Sequence, residues 1–143
     1  MKKNKTEELL NILKRIRNKS ELKGYIDRNP LEKQVADYII DVSNKKGYKK
    51  TDIIRNSDID RTYGYQILSG LKKPSRDKLL QICLGNKFTR KETNKALTIA
   101  NWGILYAKNP RDSIIIYGLN NSLSLVDTNI ILHEYGYDSL GLK

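Results

Sequence analysis

The feature that most constrains this chain is an internal repeat in its second half. The stretch "RDKLLQICLGNKFTRKETNKALTIANWGIL", from Arg76, aligns without gaps to "RDSIIIYGLNNSLSLVDTNIILHEYGYDSL", from Arg111, at an offset of 35 residues. Identities fall at Arg76/Arg111, Asp77/Asp112, Leu84/Leu119, Asn86/Asn121, Thr93/Thr128, Asn94/Asn129, Leu97/Leu132 and Leu105/Leu140. Conservative pairs such as Leu79/Ile114 and Phe88/Leu123 lie between them. Thr89 with Glu92, and Ser124 with Asp127, have capping-box spacing, in which a hydroxyl takes an orphan amide and an acid reaches back. Each copy therefore reads as a helix hairpin. Two copies are too few for a free-standing solenoid, so they are expected to stack on the helices before them. "SIIIYGL" has strand propensity, but Pro110 at its start and its place in the repeat favour helix.

Upstream, the apolar residues recur at helical spacing. Leu9, Ile12, Leu13 and Ile16 mark one face of a helix beginning near Thr6, with Lys14, Arg15 and Arg17 opposite. A second short helix is expected over Ser20 to Asp27. Asn29 and Pro30 have the character of an N-cap and first helical residue, and Leu31, Val35, Ile39 and Val42 carry that helix to a stop at Gly47. "KTDIIRNS" makes a short helix, Asp58 a turn, Asp60 the cap of the next helix, and Ser75 the cap of the one after. The organisation this implies is a basic helical arm over 1–28, a central domain over 29–104 and a C-terminal hairpin over 105–143.

Charge narrows the partners. Lys and Arg total 27 against 16 Asp and Glu, a net +11, which favours a polyanion such as DNA or RNA, or an anionic surface. No apolar run approaches the roughly 18 residues needed to span a bilayer, and "MKKNKTEELL" lacks a signal-peptide apolar core. One cysteine, Cys83, allows no internal disulfide and suits a reducing cytosol. One His and one Cys far apart make no zinc site, and no cofactor is expected.

The central stretch "DRTYGYQILSGLKKPSRDKLLQ" carries the functional signal. A helix-turn-helix needs a short first helix, a turn residue tolerant of left-handed geometry, and a second helix that projects its early residues outward. Residues 50–69 fit, with Ile53, Ile59 and Ile67 as apolar anchors and Asp58 in the turn. Here the sequence resembles the lambda-repressor-like (XRE-type) DNA-binding regulators, over about residues 31–100. The trailing "ILSGLKKPSRDKLLQI" adds to the likeness. The resemblance implies an all-α fold: a lambda-repressor-like bundle, extended by the repeated hairpin and the N-terminal arm.

It also implies contact residues. In that family the fifth motif position is usually Ala and the fifteenth Ile or Val, facing each other where the helices cross. Here they are Ile54 and Gly64, large and small exchanged at roughly constant volume. By family position, the recognition helix is about 60–69, and Arg61, Thr62 and Gln66 reach base edges. Arg can fork onto guanine, Gln onto adenine, and Thr offers a hydroxyl and a methyl. Lys49, Lys50, Tyr63, Ser69, Lys72 and Lys73 hold the DNA backbone, with Lys45 and Lys46 adding nonspecific attraction. Tyr63 is expected outward and Tyr65 partly packed. Two departures stand out: Asp58 replaces the usual turn Gly, and Ser57 a common apolar residue.

Nothing here builds a catalytic centre. His133 at helical spacing beside Glu134, Cys83 within "LLQICLG", and the acidic pair Asp37 and Asp41 all read as structural or solvated positions. The expectation is a sequence-specific, double-stranded DNA-binding transcriptional regulator, cytoplasmic and nucleoid-associated, acting as a homodimer. The dimer contact is expected in the hairpin 109–136, or else along Leu9 to Ile16. The alternative is a helical interaction module for an unknown protein partner, or a nonspecific nucleic-acid binder.

Overall fold

A computed structural model describes residues 5–141; the first four residues, assigned above to the arm, and the last two, assigned to the C-terminal hairpin, lie outside the described residues. Within them the fold is all-α. Nine helices run in order: α1 (Lys5–Arg15), α2 (Lys19–Arg28), α3 (Leu31–Lys45), α4 (Lys50–Ser57), α5 (Arg61–Leu68), α6 (Arg76–Gly85), α7 (Arg90–Ile99), α8 (Pro110–Asn120) and α9 (Leu125–Glu134). No described helix is long and apolar enough to cross a membrane.

The chain divides into two compact units, one up to Pro30 and one from Leu31 onward. The first holds α1 and α2. Asn18 caps α2 by accepting the Glu21 N–H at 2.9 Å, and the Glu21 carboxylate accepts the Arg17 N–H at 3.0 Å. At the other end, the Asn29 N–H donates to Ile26 O and its side-chain amide to Tyr25 O, closing α2. Asn29 was expected to open α3 with Pro30 as its first residue; instead the helix runs from Leu31. No residue of α2 is buried, and Leu10, Ile12 and Leu13 of α1 are exposed.

The second unit is built on α3, whose Val35, Ile39 and Val42 enter a continuous core reaching from α3 to Leu140. Helix α3 packs on α5 and α7, and α4 packs on α5 and α6. Each repeat copy is a hairpin, α6 with α7 and α8 with α9. The local devices repeat as well. Ser75, Thr89, Asn109 and Ser124 each accept the N–H three residues on, and Thr89 and Glu92 complete a capping box. Asn94 Oδ1 accepts the Leu105 N–H at 3.0 Å, and its counterpart Asn129 accepts Leu140 N–H at 2.7 Å.

The two copies do not stack as in a solenoid. Arg76 reaches across to Asp112 of the second copy at 3.0 Å, while Arg111 reaches back to Asp77 of the first at 2.9 Å. Likewise α6 touches α9 while α7 touches α8. Exchanging the copies leaves this pattern unchanged, which is the mark of an approximate two-fold axis; a stack would repeat one contact in one direction. The first hairpin packs on α3 and α4 as expected, and the second closes on the first.

Candidate nucleic-acid interface

The α4–α5 corner is held from behind. Asp58 takes a left-handed conformation (φ 52°, ψ 46°) between the helices, a geometry Asp tolerates at modest cost. Gln81 of α6, itself fully buried, donates from Nε2 to the carbonyls of Ser57 at 2.6 Å and Asp58 at 3.0 Å. Ser57, the departure from the usual apolar residue, is buried with its hydroxyl donating to Ile53 O at 2.6 Å and accepting from Asn86 Nδ2 at 3.0 Å. Asn86 Nδ2 also reaches Ile53 O and Ile82 O, and its Oδ1 accepts from Asn56. A polar residue fits here because Ile53 O and Asn86, which follows α6, satisfy its hydroxyl.

The helices then cross closely. A Cβ at Gly64 would lie 2.9 Å from Ile54 Cγ1 and 3.2 Å from Ile59 Cδ1, so the glycine makes room for Ile54. At the start of α5, Asp60 Oδ2 accepts the Tyr63 N–H at 3.0 Å, which sets Arg61 and Thr62 on its first turn. At the start of α4, the Lys49 N–H donates to Asp52 at 2.9 Å, and with Arg55 this holds the Asp52 carboxyl below its ordinary range.

On the outer face, Tyr65 is a ridge between two shallow depressions. One, of about 470 Å³, is lined by Lys50, Thr62, Tyr65, Gln66, Leu68 and Ser69. The other, of about 480 Å³, is lined by Thr51, Ile54, Arg55, Asp58, Ile59, Arg61 and Tyr65. The Arg61 guanidinium carbon lies 5.8 Å from the Tyr65 ring centre, a loose cation–π approach along the helix. So Lys50, Thr62, Gln66 and Ser69 are brought together, with Arg61 across the Tyr65 ridge.

Other candidates are placed differently. Tyr63, expected outward, is half-buried against the core because the i, i+4 stripe it shares with Ile67 faces inward; Lys72 lies 5.9 Å from its ring centre. Lys73 is drawn over Trp102 at 3.9 Å from the ring centre, and that indole donates to Pro74 O, so this lysine is tied to the body of the domain. Lys46 pairs with Glu92 at 3.0 Å and Lys45 with Asp41 at 3.4 Å. Lys49 and Lys50 make no ion pair among the described residues. Ser69 Oγ donates to Gln66 O at 3.1 Å and stays exposed. No protein-family model, curated protein or solved structure matches the chain.

Thr51 and Arg55 were not singled out from sequence, yet they line the Arg61 depression, Arg55 partly neutralised by Asp52. Their signal was the spacing: four residues apart on α4, one turn of helix on the face opposite buried Ile53. The surrounding stretch 45–73 carries eight basic residues against three acidic ones, a net +5. Cys83, by contrast, is fully buried, and burial pushes its thiol far above the ordinary range, which makes it an unreactive core residue.

Proposed function

We propose that the protein is a sequence-specific double-stranded DNA-binding regulator of transcription, of the lambda-repressor-like type, that lays α5 in the major groove and works in the cytoplasm on the nucleoid. The observation that carries this reading is the gathering of Lys50, Thr62, Gln66 and Ser69 around one depression, with Arg61 across Tyr65. This is the mixture such an interface needs. Arg61, Thr62 and Gln66 offer donors, an acceptor and a methyl to base edges, and Lys49, Lys50 and Lys72 offer charge to phosphates. The anchoring of the turn by Gln81 and Asn86 supplies the rigidity that such contacts require. As a regulator it would act as a homodimer on two half-sites about one helical turn apart.

The test begins with selection of bound fragments from random double-stranded DNA, followed by competition against unselected DNA at stated salt. Arg61→Ala or Gln66→Ala is expected to cost about 1–3 kcal/mol on the selected site and to relax preference at one position. Lys50→Ala is expected to weaken all sequences alike and to reduce the salt slope by about one. Lys73→Ala, whose ammonium sits on Trp102, should leave that slope unchanged. If selection enriches no sequence, the protein is a nonspecific nucleic-acid binder or an interaction module, and the regulator reading fails.

A further inference from the structure

The internal two-fold shows which face of the molecule lacks its cover. In the first hairpin, Ile82 is 1% exposed and Ala100 is fully buried, and Glu92 receives Lys46 from the end of α3. One repeat later the same positions are Tyr117, 54% exposed, Tyr135, 68% exposed, and Asp127, whose carboxylate has no partner among the described residues. Where the first hairpin has exposed Lys91, and Lys95 with its ammonium 5.7 Å from the Tyr38 ring centre of α3, the second exposes Val126 and Ile130. Four large apolar side chains exposed on one helix hairpin, beside an unpaired carboxylate, mark a candidate interaction site.

Charge and pattern identify the occupant. Residues 109–141 carry one basic residue, Arg111, against four acidic ones, a net −3 inside a chain of +11. Residues 5–30 carry seven basic against four acidic residues, a net +3. Helix α1 exposes Leu10 and Leu13, and Arg17 follows. These three repeat the spacing of Ile39, Val42 and Lys46, the apolar, apolar, basic series of the helix that covers the first hairpin.

We propose that the α8–α9 face is the docking site for helix α1 of a second copy of this chain, each copy laying its basic arm on the other's hairpin. Leu10 and Leu13 cover Ile130 and Tyr135, and Arg17 meets Asp127 as Lys46 meets Glu92. The exchange is reciprocal, so it closes as a two-fold dimer with no surface left to propagate. Pairing one hairpin with another would instead set like-charged acidic edges together. This assembly stands or falls independently of what α5 binds.

The experiment is sedimentation equilibrium of the full chain over a range of concentrations, alone and with Leu13→Glu or Ile130→Glu. Both positions are exposed, so circular dichroism should show unchanged helix content. The expected result is a wild-type dimer and a dissociation constant raised at least tenfold in each variant. A one-to-one mixture of the two variants should associate more tightly than either alone, because each mixed pair keeps one intact arm-on-hairpin contact. As a second check, Arg17→Glu and Asp127→Arg should each weaken the dimer and together restore it. Loss of the dimer in Ile130→Glu alone would mean hairpin-to-hairpin contact, and loss in Leu13→Glu alone arm-to-arm contact. Either result overturns the proposal, as does a mixture no tighter than its components or a wild-type chain that is monomeric throughout.

Discussion

The hairpins α6–α7 and α8–α9 share one sequence pattern and occupy two environments. The first is sandwiched, with α3 and α4 on one side and its partner hairpin on the other. Among the described residues, the main contacts of the second are with its partner. Sequence differences follow the environment. Gln81 and Asn86, which hold the α4–α5 turn, have as counterparts half-buried Ile116 and exposed Asn121. Gly85, against which α4 lies, has exposed Asn120. The lesson is that one repeated scaffold serves two settings, and that the first copy carries the side chains that hold the α4–α5 turn.

The strongest way to break this comparison is at Gly85. A Cβ there would be driven into the carbonyl of Asn56 and would sit 3.2 Å from Ser57 Cα, and neither backbone atom can rotate away. Gly85→Ala should destabilise by about 3 kcal/mol, an overpacking cost. Asn120→Ala should stay within about 0.5 kcal/mol, as exposed substitutions usually do. Urea unfolding of the two variants measures both, and equal effects would mean the hairpins are equivalent after all.

Next comes the paired asparagine. Asn86→Ala strips the buried Ser57 hydroxyl and Ile53 carbonyl of a donor and should cost about 2 kcal/mol. Asn121→Ala loses only an exposed bond to Tyr117 O and should cost under about 0.5 kcal/mol. If the protein binds DNA as proposed, and Asn86→Ala weakens that binding more than its stability loss explains, the turn anchorage matters to the interface as well as to the fold.

The crossed ion pairs sharpen the comparison, because they look symmetric and are not. Asp112 has an 8% exposed side chain that also accepts the Tyr106 N–H, whereas Asp77 is 49% exposed. Arg76→Ala strands a buried carboxylate and should cost about 2 kcal/mol, less than a fully buried pair because Arg76 is itself partly solvated. Arg111→Ala leaves a carboxylate that water can reach, and should cost under about 1 kcal/mol. Thermal unfolding of the two variants ranks them directly.

The smallest effect is a pH dependence. Burial pushes the Glu92 carboxyl up, but the Thr89 N–H and the Lys46 ammonium outweigh it and hold it below the ordinary value of 4.5. A carboxyl lowered on folding contributes stability above its unfolded value and loses it as pH falls through the folded one. Glu92→Gln should therefore cost under about 1 kcal/mol at neutral pH and flatten the loss of stability below the ordinary glutamate range. Denaturant midpoints at neutral and acid pH check the sign.

Much of the frame was legible because it rests on neighbours in sequence. The bounds of α4, the left-handed Asp58 and the caps at Asp60, Ser75, Thr89 and Ser124 all follow from contacts within three or four residues. The Ile54–Gly64 crossing was legible only through the family resemblance, which pairs those two positions, and the close approach of Ile54 to Gly64 agrees with it. Part of the candidate site was readable too, since Thr62, Gln66, Ser69 and Lys50 do share one depression. Tyr63 was not, because a tyrosine on a helix edge can turn either way until its neighbours are placed. Nor was Lys73, whose ring partner Trp102 arrives from beyond α7.

The sequence by itself determined the helices, most of their ends and the presence of two matching hairpins, since hydrogen bonds and packing at short range carry those. Only the tertiary structure decided that the hairpins face each other about an approximate two-fold, that Gln81, Asn86 and Ser57 are buried, and that Arg76 and Arg111 cross to each other's aspartates. The reason is physical. A buried polar group is costly without a partner, and the partners that these groups find on other elements lie 23 to 36 residues away along the chain. No local pattern encodes that distance.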